Sequence, residues 1–268
     1  TVTLLVPRRY NTIGDDPFVY YTVRRNFEIR RVFSLDLIHW GAVGFWIQYA
    51  TFSIAAAFSR SVRHTDLIYG RDELSLLLVS CSTRVPIVWE SHVGAWNVAA
   101  RALAMRVHAL VTISHGLSDF YQEHGVPTGK IIVAPDGVDL ADFEHPESLE
   151  VARARLGLPL NKKIALYIGR LDGWKGVDTL CEAAQYIPYD IRIAIIGGEP
   201  QQIETMQKRY PRVFFLGYRP YRELADNQAA ADVLVLPNTG KDDISAHFTS
   251  PLKLFTYMAS GKPIVASD

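Results

Sequence analysis

Apolar runs of strand length alternate with helical stretches along the whole chain, and this alternation limits the fold more than any single residue does. In the first half, residues 2–6, 31–35, 67–69, 87–90, 110–113 and 131–133 read as strands. Helices fit between most of them, at 74–80, 98–106 and 116–123, the last with Ser114 as its cap and Gly125 and Pro127 to end it. The polar, proline-bearing stretch 135–146 breaks the rhythm and reads as a linker. Beyond it the pattern resumes, with strands expected at 164–168, 192–196, 213–216, 233–236 and 263–266. The helices of that half are expected at 148–156, 177–185, 201–208, 222–230 and 251–259. Strand followed by helix, repeated, builds parallel sheets. An α/β protein of two domains, 1–143 and 144–268, is therefore expected.

Composition agrees and excludes some partners. A chain of 268 residues, 49% hydrophobic and 21% charged, can bury a large core. Its 28 basic and 28 acidic residues cancel, so it has no global field for nucleic acid, and any anion must be met locally. Cys81 and Cys181 lie far apart, without metal-like spacing, each in an expected helix among apolar neighbours. Reduced, buried and inert cysteines are expected of both, which suits the cytosol.

One stretch approaches membrane-span length, 41–58, GAVGFWIQYATFSIAAAF. Gln48, Thr51, Ser53 and the small residues dilute it, and a strand follows within a few residues. A buried or half-buried helix is favoured over a membrane-surface helix or a span, acting as the crossover into the strand at 67–69.

The most informative motif is LYIGRLDGWKG, 166–176. A buried strand ends at Gly169, and two cations, Arg170 and Lys175, follow five residues apart. Glycine lets a ligand approach the backbone closely, Arg170 offers a planar fork of donors, and Lys175 adds a mobile point charge. At the mouth of an α/β sheet this combination suits an anion, and a diphosphate is inferred. Two solvated surface cations remain the alternative on spacing alone.

Several motifs coincide in order: YGRD (69–72), ESH (90–92), VAPDGVD (133–139), YIGRLDGWKG (167–176), IIGGEP (195–200), FLGY (215–218) and SPLKLFTYMASGKPIVASD (250–268). Through these seven, which span nearly the whole chain, the sequence resembles glycosyltransferase family 4, the group 1 glycosyl transferases. The resemblance implies retaining sugar transferases of GT-B architecture, with two Rossmann-like domains facing each other across a cleft. It also implies that the chain lacks the family's first strand at one end and a long final segment at the other.

Carried over, the resemblance makes Gly169, Arg170 and Lys175 the clamp on a nucleotide-sugar donor's diphosphate. Gly197 and Gly198 keep side chains out of the ligand's way, and Tyr218 and Arg219 are candidates for the base pocket. The turn at 250–253 opens a helix, with Pro251 at its first position and Leu252 and Lys253 next, its free N–H groups directed at the same phosphates. His92 corresponds to the family's cleft histidine beside the transferred sugar and is the candidate catalytic residue; a structural histidine is the alternative. Glu90 alternates with it along the strand, so both can face one side.

One departure stands out. The family places a Glu on the donor ribose where this chain has Thr256, and a second, commonly absent with SPLK, where it has Phe248. Thr256 is expected on the first turns of the helix 251–259 with its single hydroxyl aimed at the donor's ribose, so donor binding is weaker, the ribose is held otherwise, or this copy has left catalysis. No confidently paired carboxylates appear on the sugar side. The family's front-face route does without them, since the leaving phosphate takes the acceptor's proton. Adjacent Asp242 and Asp243 are too few ligands for a hard metal, and neither a metal nor another cofactor is expected.

The sequence thus predicts a glycosyltransferase acting between a nucleotide sugar and a carbohydrate or lipid-linked acceptor in polysaccharide or glycoconjugate synthesis. Its expected place is the cytoplasm or the inner membrane face, with room for peripheral membrane contact. A GT-B protein without transferase activity, serving as a binding or scaffold partner, is the second reading. A nucleotide-dependent redox enzyme is the third, disfavoured because no Gly-x-Gly-x-x-Gly follows a strand.

Overall fold

A computed structural model describes residues 1–10, 14–21, 23–238 and 252–267. The chain forms two compact units, Thr1–Pro135 and Asp136–Asp268. The boundary falls eight residues before the expected one, within the expected linker. Phe143, in a 3-10 turn at Leu140–Phe143, is buried and lines a cavity with Ala225 and Ala229 of the second unit.

In the first unit, β1 (Val2–Pro7) pairs in parallel with β2 (Phe27–Val32) as a separate two-stranded sheet. β2 lies four residues ahead of the expected strand, because register Val2↔Phe27 recruits FEIRRV rather than the run after it. The other strands, β3 (Ile68–Gly70), β4 (Ile87–Ser91), β5 (Ala109–Thr112) and β6 (Ile131–Val133), form one parallel sheet in sequence order. Among the described residues, then, the helix before β3 joins strands of two separate hydrogen-bonded sheets, contrary to the expected crossover.

That helix, Ala42–Ala57, is half-buried. Its small and polar residues Gly44, Gln48, Ser53, Ala56 and Ala57 face inward, whereas Trp40 just before it, Phe45 and Trp46 are exposed. Close approach requires the small side: a Cβ on Gly44 would lie 1.6 Å from the Leu37 carbonyl oxygen. The helix is tied to the next one, Glu73–Ser82, by a Ser53–Ser75 hydroxyl pair at 2.7 Å and by Tyr49, which donates to Asp72. Among the described residues no helix is long and apolar enough to cross a membrane.

The second unit carries one five-stranded parallel sheet in the order β11-β10-β7-β8-β9. These strands are β7 (Lys163–Ile168), β8 (Ile191–Ile196), β9 (Phe214–Phe215), β10 (Val233–Leu236) and β11 (Ile264–Ala266). The two-residue period sorts the central strands onto two cores. Ile164, Leu166, Ala194 and Ile196 pack with Ala152, Leu156 and Tyr257 from helices on one face. Tyr167, Ile193 and Ile195 pack with Val177, Leu180 and Tyr210 on the other. Both faces are covered, as parallel sheets require.

Local signals set the helix limits. Ser148 caps Leu149–Leu156 by accepting from the Val151 N–H, and Gly157, at φ 68°, ends that helix in the left-handed region. The helix expected at 222–230 divides into a 3-10 turn, Tyr221–Glu223, and a helix, Leu224–Ala229. Of the cysteines, Cys181 is buried, with its thiol pushed up to about 12 by desolvation. Cys81 is exposed, contrary to expectation, because it lies on the outer side of Glu73–Ser82, whose buried residues are Ser75, Leu76 and Val79.

Candidate functional site

The chain adds β8 and β9 on one side of β7 and then returns to place β10 and β11 on the other. This reversal makes the carboxyl ends of β7 and β10 a topological switch point, the usual ligand crevice of an open α/β sheet. The loop 169–176 leaves β7 there.

Glycines allow the loops to crowd together. A Cβ on Gly197, after β8, would fall 2.0 Å from the Gly169 carbonyl oxygen, and one on Gly176 would fall 1.6 Å from the Pro237 carbonyl oxygen at the end of β10. A Cβ on Gly169 would meet Lys253 Cε at 2.4 Å. Both Gly169 (φ 153°) and Gly176 (φ 70°) also hold positive φ, where other residues are strained.

The cations gather at this point. Lys253 lies on the helix Leu252–Ala259, donates to the Tyr167 hydroxyl at 2.7 Å, and sits 4.3 Å from the centre of its ring. Tyr167 in turn donates to the Arg170 carbonyl at 2.7 Å. Burial, and then the charge of Lys175, push the Lys253 ammonium down to about 7. Burial lowers Lys175 as well, and Arg170 adds to the effect. Asp172 is the carboxylate that acts on all three: it pairs with Arg170 at 3.2 Å and supports the charge of both lysines. Desolvating the two lysines beside one carboxylate is costly, and an anion at this point would offset that cost, while Arg170, exposed, stays screened by solvent.

The sequence named Arg170, Lys175 and Lys253, and the structure brings them together. It missed Tyr167, which reads as core in a buried strand, and Asp172, which looks like a turn residue.

Beside this cradle, a pocket of about 690 Å³ is lined by Gly198, Pro200, Ile203, Glu204, Gly217 and Tyr218, among others. Gly198 and Tyr218 thus share one pocket at the ends of β8 and β9. Arg219 is exposed on the same loop. Leu252, at the start of its helix, is also exposed. Pro251, Phe248, Asp242 and Asp243 lie outside the described residues.

Thr256 departs from expectation. It is only 6% exposed; its hydroxyl donates to the Lys253 carbonyl at 2.9 Å and accepts from Gln228 Nε2 at 3.2 Å. A hydroxyl engaged in both roles inside the unit is not directed at a ribose.

In the first unit, Glu90 and His92 do share a side, since His92 Nε2 lies 2.5 Å from Glu90 Oε1. Arg71 Nη2 reaches the same oxygen at 2.8 Å, and the Tyr69 hydroxyl donates to the other. Burial raises the Glu90 carboxyl, but the bonds from Tyr69 and His92 and the charge of Arg71 outweigh it and hold the group below its ordinary value. Tyr69 moves up to about 12 through burial and its bond to Glu90. An audible signal for this cluster was the i, i+2 spacing of Tyr69 and Arg71 one strand away from Glu90 and His92.

Comparison with known proteins relates the chain to sugar transferases. Residues 162–268 match the family model of glycosyl transferases group 1. The chain is 25% identical, over 92% of its length, to the Bacillus subtilis protein named as the teichuronic acid biosynthesis glycosyltransferase TuaC. It is 28% identical, over 56% of its length, to a D-inositol 3-phosphate glycosyltransferase of Xylanimonas cellulosilytica. It spans 66% of the first relative and 37% of the second. In fold it is similar to Anabaena HepE in complex with UDP-glucose (TM-score 0.72, 18% identity, 99% of this chain and 80% of that one). It is similar too to a sucrose-phosphate synthase of Thermosynechococcus elongatus (TM-score 0.73, 22% identity, 99% and 70%). Residues 162–268 are thus similar to the group 1 glycosyl transferases, and the chain shares the fold of the GT-B glycosyltransferases.

Proposed function

We propose that this chain is part of a retaining glycosyltransferase that moves a sugar from a nucleoside-diphosphate sugar to a hydroxyl of a carbohydrate or lipid-linked acceptor, in polysaccharide or glycoconjugate synthesis. The observation that carries the reading is the convergence of Arg170, Lys175 and Lys253 at the end of β7, inside the family-matched segment. Negative charge grows on the leaving diphosphate as the glycosidic bond breaks. Fixed cations there stabilise the transition state more than the bound donor. The pocket beside Gly198 and Tyr218 is the candidate seat of the base, and a structural neighbour's complex with UDP-glucose supports that choice of ligand class.

On this reading His92 serves the transferred sugar, and the leaving phosphate takes the acceptor's proton, so that no carboxylate nucleophile and no metal or other cofactor is required. The protein works in the cytoplasm, and exposed Trp40, Phe45 and Trp46 are the part of the chain suited to an inner membrane surface.

The test is a titration of the full-length protein with UDP, ADP and GDP and their sugars, followed by turnover with and without a chelator. Tight diphosphate binding, and turnover unaffected by the chelator, is the expected result. Diphosphate binding without turnover would instead favour the second reading, a GT-B binding or scaffold protein, for which the internal engagement of Thr256 speaks.

A further inference from the structure

Glu90 is buried beneath His92, and the strands explain why. In β3 and β4, paired Ile68↔Ile87 through Gly70↔Trp89, alternate residues point the same way, which sets Tyr69 and Arg71 beside Glu90 and His92. The carboxylate receives three donors: Arg71 and His92 on Oε1, Tyr69 on Oε2. On the opposite side of the strand, Ser91 fixes the backbone through the Tyr121 hydroxyl at 2.7 Å and the Val93 carbonyl at 3.0 Å. Tyr121 is fully buried and also donates to Val93 at 3.1 Å. The base of His92 is therefore braced from both sides.

A carboxylate surrounded by donors has no hydrogen to give. The hydrogen between Glu90 and His92 must then belong to the imidazole Nε2. A neutral ring with hydrogen on Nε2 carries its lone pair on Nδ1, and among the described residues Nδ1 has no hydrogen-bond partner. The His92 side chain keeps 30% of its surface exposed, against 10% for Glu90.

We infer that Glu90 is a positioning residue: it holds His92 in the tautomer with hydrogen on Nε2 and so makes Nδ1 the nitrogen that meets a substrate hydroxyl. The tautomer stands on the cluster alone; its use in sugar transfer rests on the function proposed above.

Proton–nitrogen correlation spectra of the histidine-labelled chain, with His92→Gln to assign the signals, test the inference. In alkaline buffer, the wild type should show Nε2 as the protonated nitrogen and Nδ1 as the bare one. Glu90→Ala should collapse the separation of the two nitrogen signals as the tautomers exchange, whereas Glu90→Gln, whose amide oxygen still accepts, should keep most of it. A merely structural carboxylate would leave those signals unmoved. If Glu90→Ala does not fold, the wild-type spectrum decides by itself: hydrogen on Nδ1, or an averaged pair, overturns the inference.

Turnover of the full-length protein separates the two ideas. Glu90→Ala should lower kcat roughly tenfold or more, as expected when a group that positions the transferred sugar loses its fixed orientation, with diphosphate affinity unchanged and part of the rate restored by Glu90→Gln. If His92→Ala leaves turnover unchanged, the role of His92 fails while the tautomer stands. If His92→Ala slows turnover and Glu90→Ala does not, the positioning role fails.

Discussion

Lys253 holds its ammonium 2.7 Å from the Tyr167 hydroxyl and over the face of the same ring, so one aromatic side chain supplies both of its described contacts. The ring contact favours the charged form and burial opposes it. Burial prevails, and the group sits near 7.

A pH dependence follows. Because the folded value lies below the ordinary lysine value, the unfolded chain binds more protons between them, and this group's contribution to stability rises with pH from about 7 towards 10.5. A diphosphate bound beside it, as proposed above, should raise Lys253 again. Above pH 7 binding therefore takes up a proton, and affinity should fall by up to about tenfold per pH unit. Calorimetry in buffers of different ionisation enthalpy should show that uptake in the wild type and its loss in Lys253→Met.

Lys175→Ala should weaken binding of a nucleoside diphosphate by about 1.5–3 kcal/mol, the range for hydrogen bonds to charged groups, and leave the bare nucleoside nearly unaffected. Arg170→Ala should cost less, because its guanidinium is 83% exposed and already paired with Asp172. Equal losses for nucleotide and nucleoside would remove both residues from the phosphate site.

Gly176→Ala should be among the most damaging single changes in the second unit. It combines a positive φ with a Cβ 1.6 Å from a backbone carbonyl, and should cost well over about 1 kcal/mol in denaturant unfolding. Gly125→Ala is the control. Gly125 has φ 87° but nothing within 4 Å, so only the backbone penalty of about 1–2 kcal/mol applies.

Thr256→Val should leave the Gln228 amide without its acceptor and cost about 1–3 kcal/mol of stability, with diphosphate affinity unchanged. Thr256→Glu places a carboxylate in a position only 6% exposed, and should destabilise the unit rather than tighten the donor. Thermal unfolding alongside matched ribo- and deoxyribo-diphosphate titrations checks both. A ribose-selective gain in Thr256→Glu would return this position to the donor site.

How much was legible depended on how local the information was. The parallel strands and the helix cap at Ser114 lie within windows of a few residues, where periodicity and capping chemistry act directly. Boundaries set by a partner strand, such as the start of β2, did not show in its own residues.

The sequence alone determined the α/β alternation and the Gly-Arg-Lys spacing after β7, because a strand, the glycine that ends it and the cations that follow are neighbours along the chain. Tertiary structure decided the rest. It set Lys253 against Tyr167, 86 residues earlier, and turned Thr256 inward to Gln228, 28 residues earlier. It also surrounded Glu90 with Tyr69 and Arg71. Those contacts depend on strand order and register, which arise only when distant segments bury their apolar faces together, so no single window of sequence contains them.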